Sequence, residues 1–492
     1  MLTLLKFIIK FFIFYFFIFT FFSCASTNNT QILQQKIPPE KLKSDFILLK
    51  KILEANHPSL YWYTPKDSVD TYFSNAINNI TDSLTEFQFK NKVAYVVSKI
   101  RCGHTAVRHS KAYYKAIEKK LQPQFPLAIK TWSDSLIVLG SALKNDAVFK
   151  RGTIITSING IGNKQLLDSM FQFISADGYA DNFKSQSISF NFPAYYKNAF
   201  GLNNEYKINY IDSLGNLQTI NIYNYNPSAD SLNKTKQFLS KSSKKIKLLS
   251  ERNLVFDTAI NTGFMRLTTF SNAGLRRFFR TSFKKLQKNN TKNLVIDLRE
   301  NGGGSMFAST LLTKYLINHP FHNADTIAAI SRSFKYHQYI HPWFEYWIAM
   351  HFMSRKQPDG RYHLHHYEQH FFKPKMRHHF TKQIYIVQGG YTFSAAVMFV
   401  SNLKDQQNVT VVGEETGGGS YGNSSVHLPE IILPNSGLRV VLPLYRVVFN
   451  NANSKTGRGI FPDIEIQPSS AAIKNGVDIK LQFIKEIIKN KN

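Results

Sequence analysis

One serine stands where a turn gives way to a predicted helix, in the stretch GYTFSAAVMF at 390–399. Ser394 lies between an aromatic turn and a run of small and apolar residues typical of the start of a buried helix. Its side chain could cap this helix by accepting a hydrogen bond from a free N–H. It could equally be a nucleophile, because N–H groups at a helix N-terminus can stabilise an oxyanion. The stretch alone favours the cap, since caps are far more common than nucleophiles.

Two other stretches carry groups that a nucleophilic serine would need. NLVIDLRENGGGS (293–305) runs from a buried strand into three glycines, whose backbone N–H groups can approach a ligand closely. CGHTAV (102–107) places His104 on a small turn. Hydrolysis by a serine requires a base that takes its proton and donors that bind the oxyanion. Each feature is weak alone, because a lone histidine is more often structural than catalytic.

The elements around Ser394 and the glycines predict how they are positioned. From residue 253 onward, strand patterns such as NLVIDLR and QIYIVQG alternate with helical ones such as AGLRRFFRTSFKKLQ. This alternation predicts a mainly parallel sheet with helices on its faces. Ligands of such sheets bind at the carboxyl ends of the strands. The pattern therefore places GYTFSAA at a functional edge and favours the nucleophile.

Two different patterns precede this α/β region. Residues 41–100 have apolar positions at helical spacing, which predicts several helices. Residues 120–225 read as short strands, and RGTIITSING (151–160) ends in an Asn-Gly pair that predicts a hairpin. KRGTIITSINGI also resembles the strand and turn of PDZ domains, which bind peptides by strand addition. An ordinary β-subdomain is the alternative interpretation.

The segment 319–379 interrupts the α/β pattern and contains eleven of the fifteen histidines. His366 and His370 are four residues apart and could share a helix face, as metal ligands do. No cysteine accompanies them, and their spacing matches no metal motif. We therefore expect an insertion that covers the surface or forms a lid, and we predict no metal and no other cofactor.

The N-terminus predicts export. MLTLLKFIIKFFIFYFFIFTFFS (1–23) has early lysines and an apolar run that is shorter than the ~20 residues of a membrane span. The following Cys24 resembles a lipidated cysteine, which predicts a membrane-anchored lipoprotein of the cell envelope, in the periplasm or on the outer membrane. An uncleaved anchor is the alternative. Cys102 is the only other cysteine, so a lipidated chain has no internal disulfide.

The charge of the chain fits this location. A formal net charge of +29 arises from 61 Lys and Arg against 32 Asp and Glu. Basic residues are spread along the chain and no nucleic-acid motif accompanies them, so we predict no nucleic-acid partner. A basic surface is also suited to an anionic membrane or cell envelope.

The order of the motifs is similar to that of a known family. GHT, a PDZ-like unit, DLRENGGG, TFSAA, VVGEETGGG and the closing GRGIFPDIEI (457–466) resemble the S41 serine peptidases, over roughly residues 45–485. That family includes C-terminal processing proteases and the tricorn core peptidase. The resemblance implies a ClpP/crotonase-like peptidase core with Ser394 as the nucleophile. It also implies an oxyanion hole formed by the N–H groups of Ala395 and of one glycine in Gly302–Gly304, Gly303 being favoured.

The family that the sequence resembles uses two different general bases. Processing proteases use a lysine in a TxGKG segment, but the corresponding TGGGSYG (416–422) lacks one, as does the whole of 405–454. Tricorn-like members use a histidine from the N-terminal part, which implies His104 here, although Gly103 replaces the serine beside the tricorn histidine. Glu415 and Asp463 are candidates for the acid that orients His104. Each could instead be structural.

The sequence thus predicts an α/β protein with an N-terminal helical region, a PDZ-like β-subdomain and a mainly parallel peptidase core. Its function would be hydrolysis of peptide bonds in unfolded or C-terminal protein segments. A catalytically inactive protein that binds peptides or another apolar ligand is the alternative, and a metal hydrolase is less favoured. The sequence does not predict the oligomeric state. The expected boundaries are a signal peptide 1–23, a tether 24–40, the helical region 41–118, the PDZ-like domain 119–228, a linker 229–252 and the core 253–485 with its insertion 319–379.

Overall fold

The computed structural model describes residues 29–119, 122–227, 249–271, 274–449 and 455–491. The expected signal peptide, Cys24 and most of the expected linker lie outside these residues. Within them, no helix is both long and apolar enough to cross a bilayer.

The helices vary from five to eighteen residues, and each is named below by its range. They are Asn29–Gln34, Pro39–Asn56, Lys66–Asn78, Glu86–Ser98, Lys111–Lys119, Asn163–Phe171, Asp181–Phe190, Phe192–Phe200, Leu275–Lys288, Met306–Lys314, Trp343–Met353, His365–Gln369, Ala395–Leu403, Ser470–Lys474 and Ile479–Lys491, with short 3₁₀ turns at Thr258–Ile260 and His337–Tyr339.

The strands are short and are numbered in chain order. They are β1 Lys36–Ile37, β2 Leu84–Thr85, β3 Val107–Arg108, β4 Leu127–Trp132, β5 Ser135–Ser141, β6 Ile154–Ile158, β7 Ile161–Gly162, β8 Glu205–Ile211, β9 Leu217–Tyr223, β10 Arg252–Asp257, β11 Thr262–Leu267, β12 Asn293–Asp297, β13 Thr326–Ala329, β14 Ile340–His341, β15 Arg355–Lys356, β16 Tyr362–His363, β17 Gln383–Gln388, β18 Val409–Gly413, β19 Gly422–Ser425, β20 Glu430–Ile432, β21 Arg439–Val441, β22 Tyr445–Val448 and β23 Ile464–Glu465.

A six-stranded sheet forms the centre of the C-terminal half, in the order β10-β11-β12-β17-β18-β23. Every pairing in it is parallel except β10 with β11. The strand β12 is buried along nearly its whole length, which explains its continuous apolar sequence. These features confirm the predicted α/β class and the mainly parallel core.

Side chains of β12 and β17 alternate between two hydrophobic cores, as the two-residue period of a strand requires. Leu294 and Ile384 belong to the larger core, whereas Val295 and Tyr385 belong to the smaller one. The helix Ile479–Lys491 covers the smaller core. The sheet is thus covered by a hydrophobic core on each face.

The N-terminal helices pack into the larger core of the sheet. The side chain of Thr85 accepts a hydrogen bond from the N–H of Gln88, and the Gln88 side chain accepts one from the N–H of Thr85. This capping box begins the helix Glu86–Ser98, whose C-terminal end leads to the turn that carries His104. In the segment expected to be a tether, a helix and β1 occur, and β1 pairs with β2.

The middle of the chain has its own core and a sheet of order β4-β5-β6-β8-β9, with β7 paired to β6. The predicted Asn-Gly turn forms between β6 and β7, and Asn159 and Gly160 have φ values of 53° and 78°. The sequence interpretation missed three helices here, within 163–200. Their apolar positions pack against one face of this sheet, so tertiary burial outweighs the weak local pattern.

The insertion 319–379 is joined to the core by strand pairing. Its strands β13 and β16 share a sheet with β19 and β22, in the order β15-β16-β13-β22-β19. Its β14 pairs with β20 in a second sheet. That sheet also includes β3, which follows the turn that carries His104. The insertion is therefore a packed part of the core region.

Candidate active site

Ser394 occupies a strained position between β17 and the helix Ala395–Leu403. Its φ of 54° and ψ of −121° are values that residues with a Cβ rarely adopt. Ser394 is the N-cap residue of the helix, yet its side chain accepts no capping hydrogen bond. Among the residues that the structure describes, no group hydrogen-bonds to its hydroxyl. The capping interpretation therefore does not account for the Ser394 side chain.

Neighbouring loops hold this strained turn in place. The Thr392 hydroxyl donates to the carbonyl of Leu298 at 2.9 Å, and the Phe393 N–H donates to the carbonyl of Asn301 at 3.0 Å. Both acceptors follow β12, so the glycine-rich loop and the Ser394 turn are tied together. Strain of this kind persists only where the surrounding structure over-determines the conformation, and it is concentrated at functional sites.

Gly303 lies directly against Ser394. Its φ is +92°, and a Cβ at this position would lie 2.7 Å from the Cβ of Ser394 and 2.7 Å from the carbonyl oxygen of Phe393. Only glycine fits here. The Gly303 N–H, however, donates to the side-chain oxygen of Asn301 at 2.9 Å. The glycine predicted to be an oxyanion donor thus lies beside Ser394, but its N–H is already engaged in this conformation.

Other backbone donors beside Ser394 are unengaged. Among the described residues, no acceptor takes a hydrogen bond from the N–H of Ala395, at the start of the helix. The N–H groups of Gly302 and Gly304 likewise have no acceptor within the described ranges. The Ala395 donor agrees with the sequence expectation, and the second donor can come from a neighbour of Gly303 or from Gly303 after Asn301 releases it.

We expect Gly303→Ala to lower peptide hydrolysis at least about 10²-fold and to destabilise the fold by about 1–3 kcal/mol, because strain and a steric clash combine. Gly360→Ala is the matched control, since Gly360 has a φ of +78° but no atom within 4 Å of an added Cβ. Denaturant unfolding and kcat/KM would be measured for both. Equal effects of the two substitutions would contradict the close approach of Gly303 to Ser394.

His104 lines the same cavity as Ser394. Its ring centroid lies 4.9 Å from that of Phe393, the residue before the serine. Burial lowers the pKa of His104 to about 4, so the ring is neutral at pH 7. Its Nδ1 is buried without a hydrogen-bond partner among the described residues, and no hydrogen bond joins the ring to Ser394. The base and the nucleophile therefore face one cavity without a preformed contact.

A second histidine fixes the turn that carries His104. The N–H of Ser59 donates to Nδ1 of His57 at 3.1 Å, so Nε2 of His57 carries the proton and donates to the Thr105 hydroxyl at 2.9 Å. Burial lowers the pKa of His57 to about 3, which keeps this tautomer neutral. His57 is buried beneath the turn. We assign it a structural role in positioning the residue after His104.

Sequence reasoning missed a buried carboxyl group next to His104. Asp177 accepts a hydrogen bond from the N–H of Gly103 at 2.8 Å, and the N–H of Gly419 is a second donor to it. Its Oδ2 is buried without a partner in the described part of the chain. Burial raises the pKa of Asp177 to about 7. The Asp177 side chain thus binds a backbone N–H of the turn that carries His104. No sequence motif around Asp177 predicts this contact.

The two acids expected to orient His104 have other partners. Glu415 forms an ion pair with Arg458 and accepts a hydrogen bond from the N–H of Gly459 at 2.6 Å. Asp463 accepts one from the N–H of Val411 at 2.8 Å. Neither carboxyl group lines the cavity of Ser394. The structure therefore does not bring Glu415 or Asp463 together with His104, and their contacts fit the structural alternative.

The cavity around Ser394 has a volume of about 640 Å³ and no ionised side chain in its lining. Apolar and aromatic residues supply most of its walls, and two of them come from the insertion, Met353 and Tyr367. The uncharged lining contrasts with the chain as a whole, which has a net charge of +29. The complete lining is His104, Thr268, Thr269, Ser271, Gly302, Gly303, Gly304, Ser305, Met306, Phe307, Met353, Tyr367, Tyr391, Ser394, Ala395, Met398, Asn423, Ser425, Val426, His427, Leu428, Val447 and Phe449.

Several histidines of the insertion contact acids or aromatic rings. His363 contacts Asp359 and Glu368 at 3.0 and 2.9 Å, and the rings of His366 and His370 lie 4.9 Å apart. Over the ranges that the structure describes, no three His, Cys, Asp or Glu side chains come together as a metal site would need.

The chain is similar to a known protein family and to several solved structures. Residues 261–466 match the sequence profile of Peptidase family S41. A crystal structure of mature CPAF is 14% identical with a TM-score of 0.65, covering 92% of this chain and 98% of that one. The structure of mature CPAF complexed with lactacystin is 13% identical with a TM-score of 0.63, and the match covers 92% of this chain and 99% of that one. The photosystem II D1 C-terminal processing protease is 13% identical with a TM-score of 0.40, covering 91% and 97%. No protein with a curated description matches the chain.

At these identities the likeness to CPAF establishes a shared fold over nearly the whole of both chains. The profile match covers β11 to β23 and includes the Ser394 turn and the glycine loop. His104 lies outside the matched segment.

Proposed function

We propose that this chain is a serine peptidase of family S41, with Ser394 as the nucleophile and His104 as the general base. One observation carries the proposal: the unbonded hydroxyl of a strained Ser394 faces the same cavity as a neutral His104 and an unengaged N–H of Ala395. The profile match over residues 261–466 supports the same assignment.

In the proposed acylation step, the Ser394 Oγ bonds to the carbonyl carbon of the scissile peptide while its proton moves to a ring nitrogen of His104. Nε2 is the nitrogen suited to this role, because Nδ1 is buried. The carbonyl oxygen becomes an oxyanion, which the Ala395 N–H stabilises. When the C–N bond breaks, His104 returns the proton to the leaving amine. Water then attacks the acyl-enzyme by the same proton route and releases Ser394.

The second oxyanion donor would come from the glycine loop. The Gly302 and Gly304 N–H groups are unengaged, and the Gly303 N–H becomes available if the Asn301 side chain turns away. Removing one such donor typically costs about 10²–10³-fold in kcat. Release of Gly303 on substrate binding would therefore make the site fully active only when it is occupied.

The cavity also limits the substrate. Phe307, Met353 and Leu428 line it and remain 69%, 41% and 37% exposed, so they present apolar surface to an incoming chain. A charged substrate side chain would lose its hydration there without gaining a partner. We propose that the enzyme cleaves uncharged, apolar stretches of unfolded or C-terminal protein segments.

A pair of fluorogenic peptides tests this function. The peptides differ only in carrying leucine and phenylalanine, or aspartate and lysine, beside the scissile bond, and we expect at least about 10-fold higher kcat/KM for the apolar one. Ser394→Ala should cleave neither. Preferred cleavage of the charged peptide would contradict the assigned cavity. Equal cleavage by wild type and Ser394→Ala would contradict Ser394 as the nucleophile.

A binding protein on the same scaffold is the second candidate. It is favoured by the Gly303 N–H being engaged with Asn301 and by the lack of a hydrogen bond between His104 and Ser394. In that case the apolar cavity would retain peptides without cleaving them. Tight binding of the apolar peptide to wild type without turnover would identify this function.

The proposals for the cellular location and for the role of the middle unit rest on the sequence. We propose lipidation at Cys24 after removal of residues 1–23, which would hold the peptidase at an envelope membrane. The middle unit would grip substrate segments as PDZ-like domains do, by strand addition at an exposed sheet edge. The strands β4 and β9 are the edges of that sheet. Mass spectrometry of the intact mature N-terminus would detect the lipid.

A further inference from the structure

A second cavity lies behind the His104 turn and shares a wall with the site of Ser394. Its volume is about 410 Å³, and it is enclosed by the helix Glu86–Ser98, the turn at Gly103 and the helices Asp181–Phe190 and Phe192–Phe200. Tyr391 lines both cavities. The second cavity has no role in the hydrolytic steps proposed above.

Lys90 is the one charged residue that lines this cavity among the described residues. Its ammonium group makes no hydrogen bond, ion pair or ring contact in the described part of the chain. Burial lowers the pKa of Lys90 to about 8. Buried charges in proteins are usually paired, since an enclosed ion without a partner loses hydration and gains nothing. The Lys90 side chain is partly buried, so its unpaired ammonium group can gain a partner from an anionic ligand.

The surroundings of Lys90 strengthen the demand for an anion. Burial is the main cause that lowers the pKa of His109, and the charges of Lys90 and Lys197 lower it further, so these two lysines lie near His109. The carboxylate of Glu86, on the same helix, is bonded to His109 and to the backbone N–H and hydroxyl of Ser110. The hydrogen bonds of Glu86 thus go to His109 and Ser110, and no ion pair joins Glu86 to Lys90 among the described residues.

The opposite wall is aromatic. Phe183 stacks on Tyr391 with ring centroids 5.5 Å apart, and Phe190 meets Tyr391 edge-on at 4.8 Å. Phe190 is half exposed, so apolar surface reaches the cavity mouth. A ligand that fits must carry a negative head group for the lysine and an apolar or aromatic body for these rings.

We propose that this cavity binds an apolar carboxylate, with Lys90 as the counter-ion of its head group and the rings of Phe183, Phe190 and Tyr391 around its apolar part. The carboxylate can belong to a small organic acid or to the free C-terminus of a peptide. A bound ligand would touch Gly103 and Tyr391, which connect to His104 along the chain and through Phe393. The site is thus placed to influence hydrolysis, and its existence does not depend on the proposed activity.

Isothermal titration of the Ser394→Ala chain tests the proposal without turnover. The probes are 4-phenylbutyrate and its neutral amide, and a hexapeptide ending in phenylalanine with either a free or an amidated C-terminus. We expect saturable binding of at least one free carboxylate and at least about 10-fold weaker binding of its amide. Binding of the free peptide alone would assign the site to protein C-termini, and binding of 4-phenylbutyrate alone to small acids.

Three substitutions in that background locate the site. Lys90→Met should weaken the carboxylate at least about 10-fold, while Lys92→Met, two residues along the same helix and outside the cavity, should leave binding unchanged. Ala194→Phe, on an exposed residue of the lining, should fill the cavity and abolish binding even if Lys90→Met proves unstable. Equal affinity in Lys90→Met and its parent, or no binding of either carboxylate to the parent, would overturn the proposal.

Discussion

Ser394→Ala will fold like the wild type and lose at least about 10⁴-fold in kcat/KM toward an apolar peptide, because the acyl-enzyme can no longer form. Alanine keeps the Cβ of serine, so the strained backbone at φ 54° changes little. The thermal midpoint should therefore stay within a few degrees of the wild-type value.

Ser401→Ala provides the control for this substitution. Ser401 lies on the same helix, Ala395–Leu403, but outside the cavity, so its loss should leave kcat/KM nearly unchanged. If Ser394→Ala and Ser401→Ala cleave the peptide equally well, the nucleophile must be another residue.

His104→Ala will lower kcat/KM nearly as far as Ser394→Ala, since nucleophile and base act as one unit. The double variant Ser394→Ala/His104→Ala should be no slower than either single variant, because the second change removes a partner that no longer functions. His366→Ala, on an exposed histidine of the insertion, should retain wild-type rates. Additive losses in the double variant would show that His104 acts independently of Ser394.

The pH dependence of wild-type activity is a second test of His104 as the general base. His104 must be neutral to accept a proton, and its pKa is lowered to about 4. Activity should therefore persist below the usual histidine range near pH 6.5 and fall only as the pH approaches about 4. If the ionised form of Asp177 is needed to hold the His104 turn, the acid limb will instead lie near pH 7. The position of the limb thus reports which group controls the base.

The parts of the site that sequence reasoning found share one property: each lies at the end of a regular element. Ser394 follows a strand and precedes a helix, and the glycine loop follows β12. Parallel strands bring their carboxyl ends to one edge, so local patterns sufficed to place these residues together. His104 was predicted as the base on weaker grounds, from its turn and the family resemblance, and its role as the base is a proposal.

The parts that sequence reasoning missed depend on long-range geometry. Asp177 contacts the N–H of Gly103, 74 residues away, and a backbone acceptor leaves no mark in the sequence. The engagement of Gly303 with Asn301 depends on the path of three glycines, which have many allowed conformations. Glu415 was one of two candidates for the orienting acid, with a structural role as the alternative, and the sequence could not decide because its partner Arg458 lies 43 residues away.

The fold shows the same division. The alternating pattern from residue 253 predicted the central sheet because its strands are buried on both faces. The three helices within 163–200 were missed because their apolar positions are few and are decided by packing on the β4–β9 sheet. The sequence predicted the insertion to be surface cover or a lid, but it did not predict that Met353 and Tyr367 line the cavity, because their positions depend on long-range pairings such as that of β13 with β22.

Labelling with a fluorophosphonate probe tests the central claim most directly. The soluble chain that begins after Cys24 would be treated with the probe, digested and mapped by mass spectrometry. An activated serine predicts a single adduct on Ser394 that disappears in His104→Ala and persists in His366→Ala. An intact fold with no adduct on Ser394, or an adduct unaffected by the loss of His104, would contradict the proposed nucleophile and base.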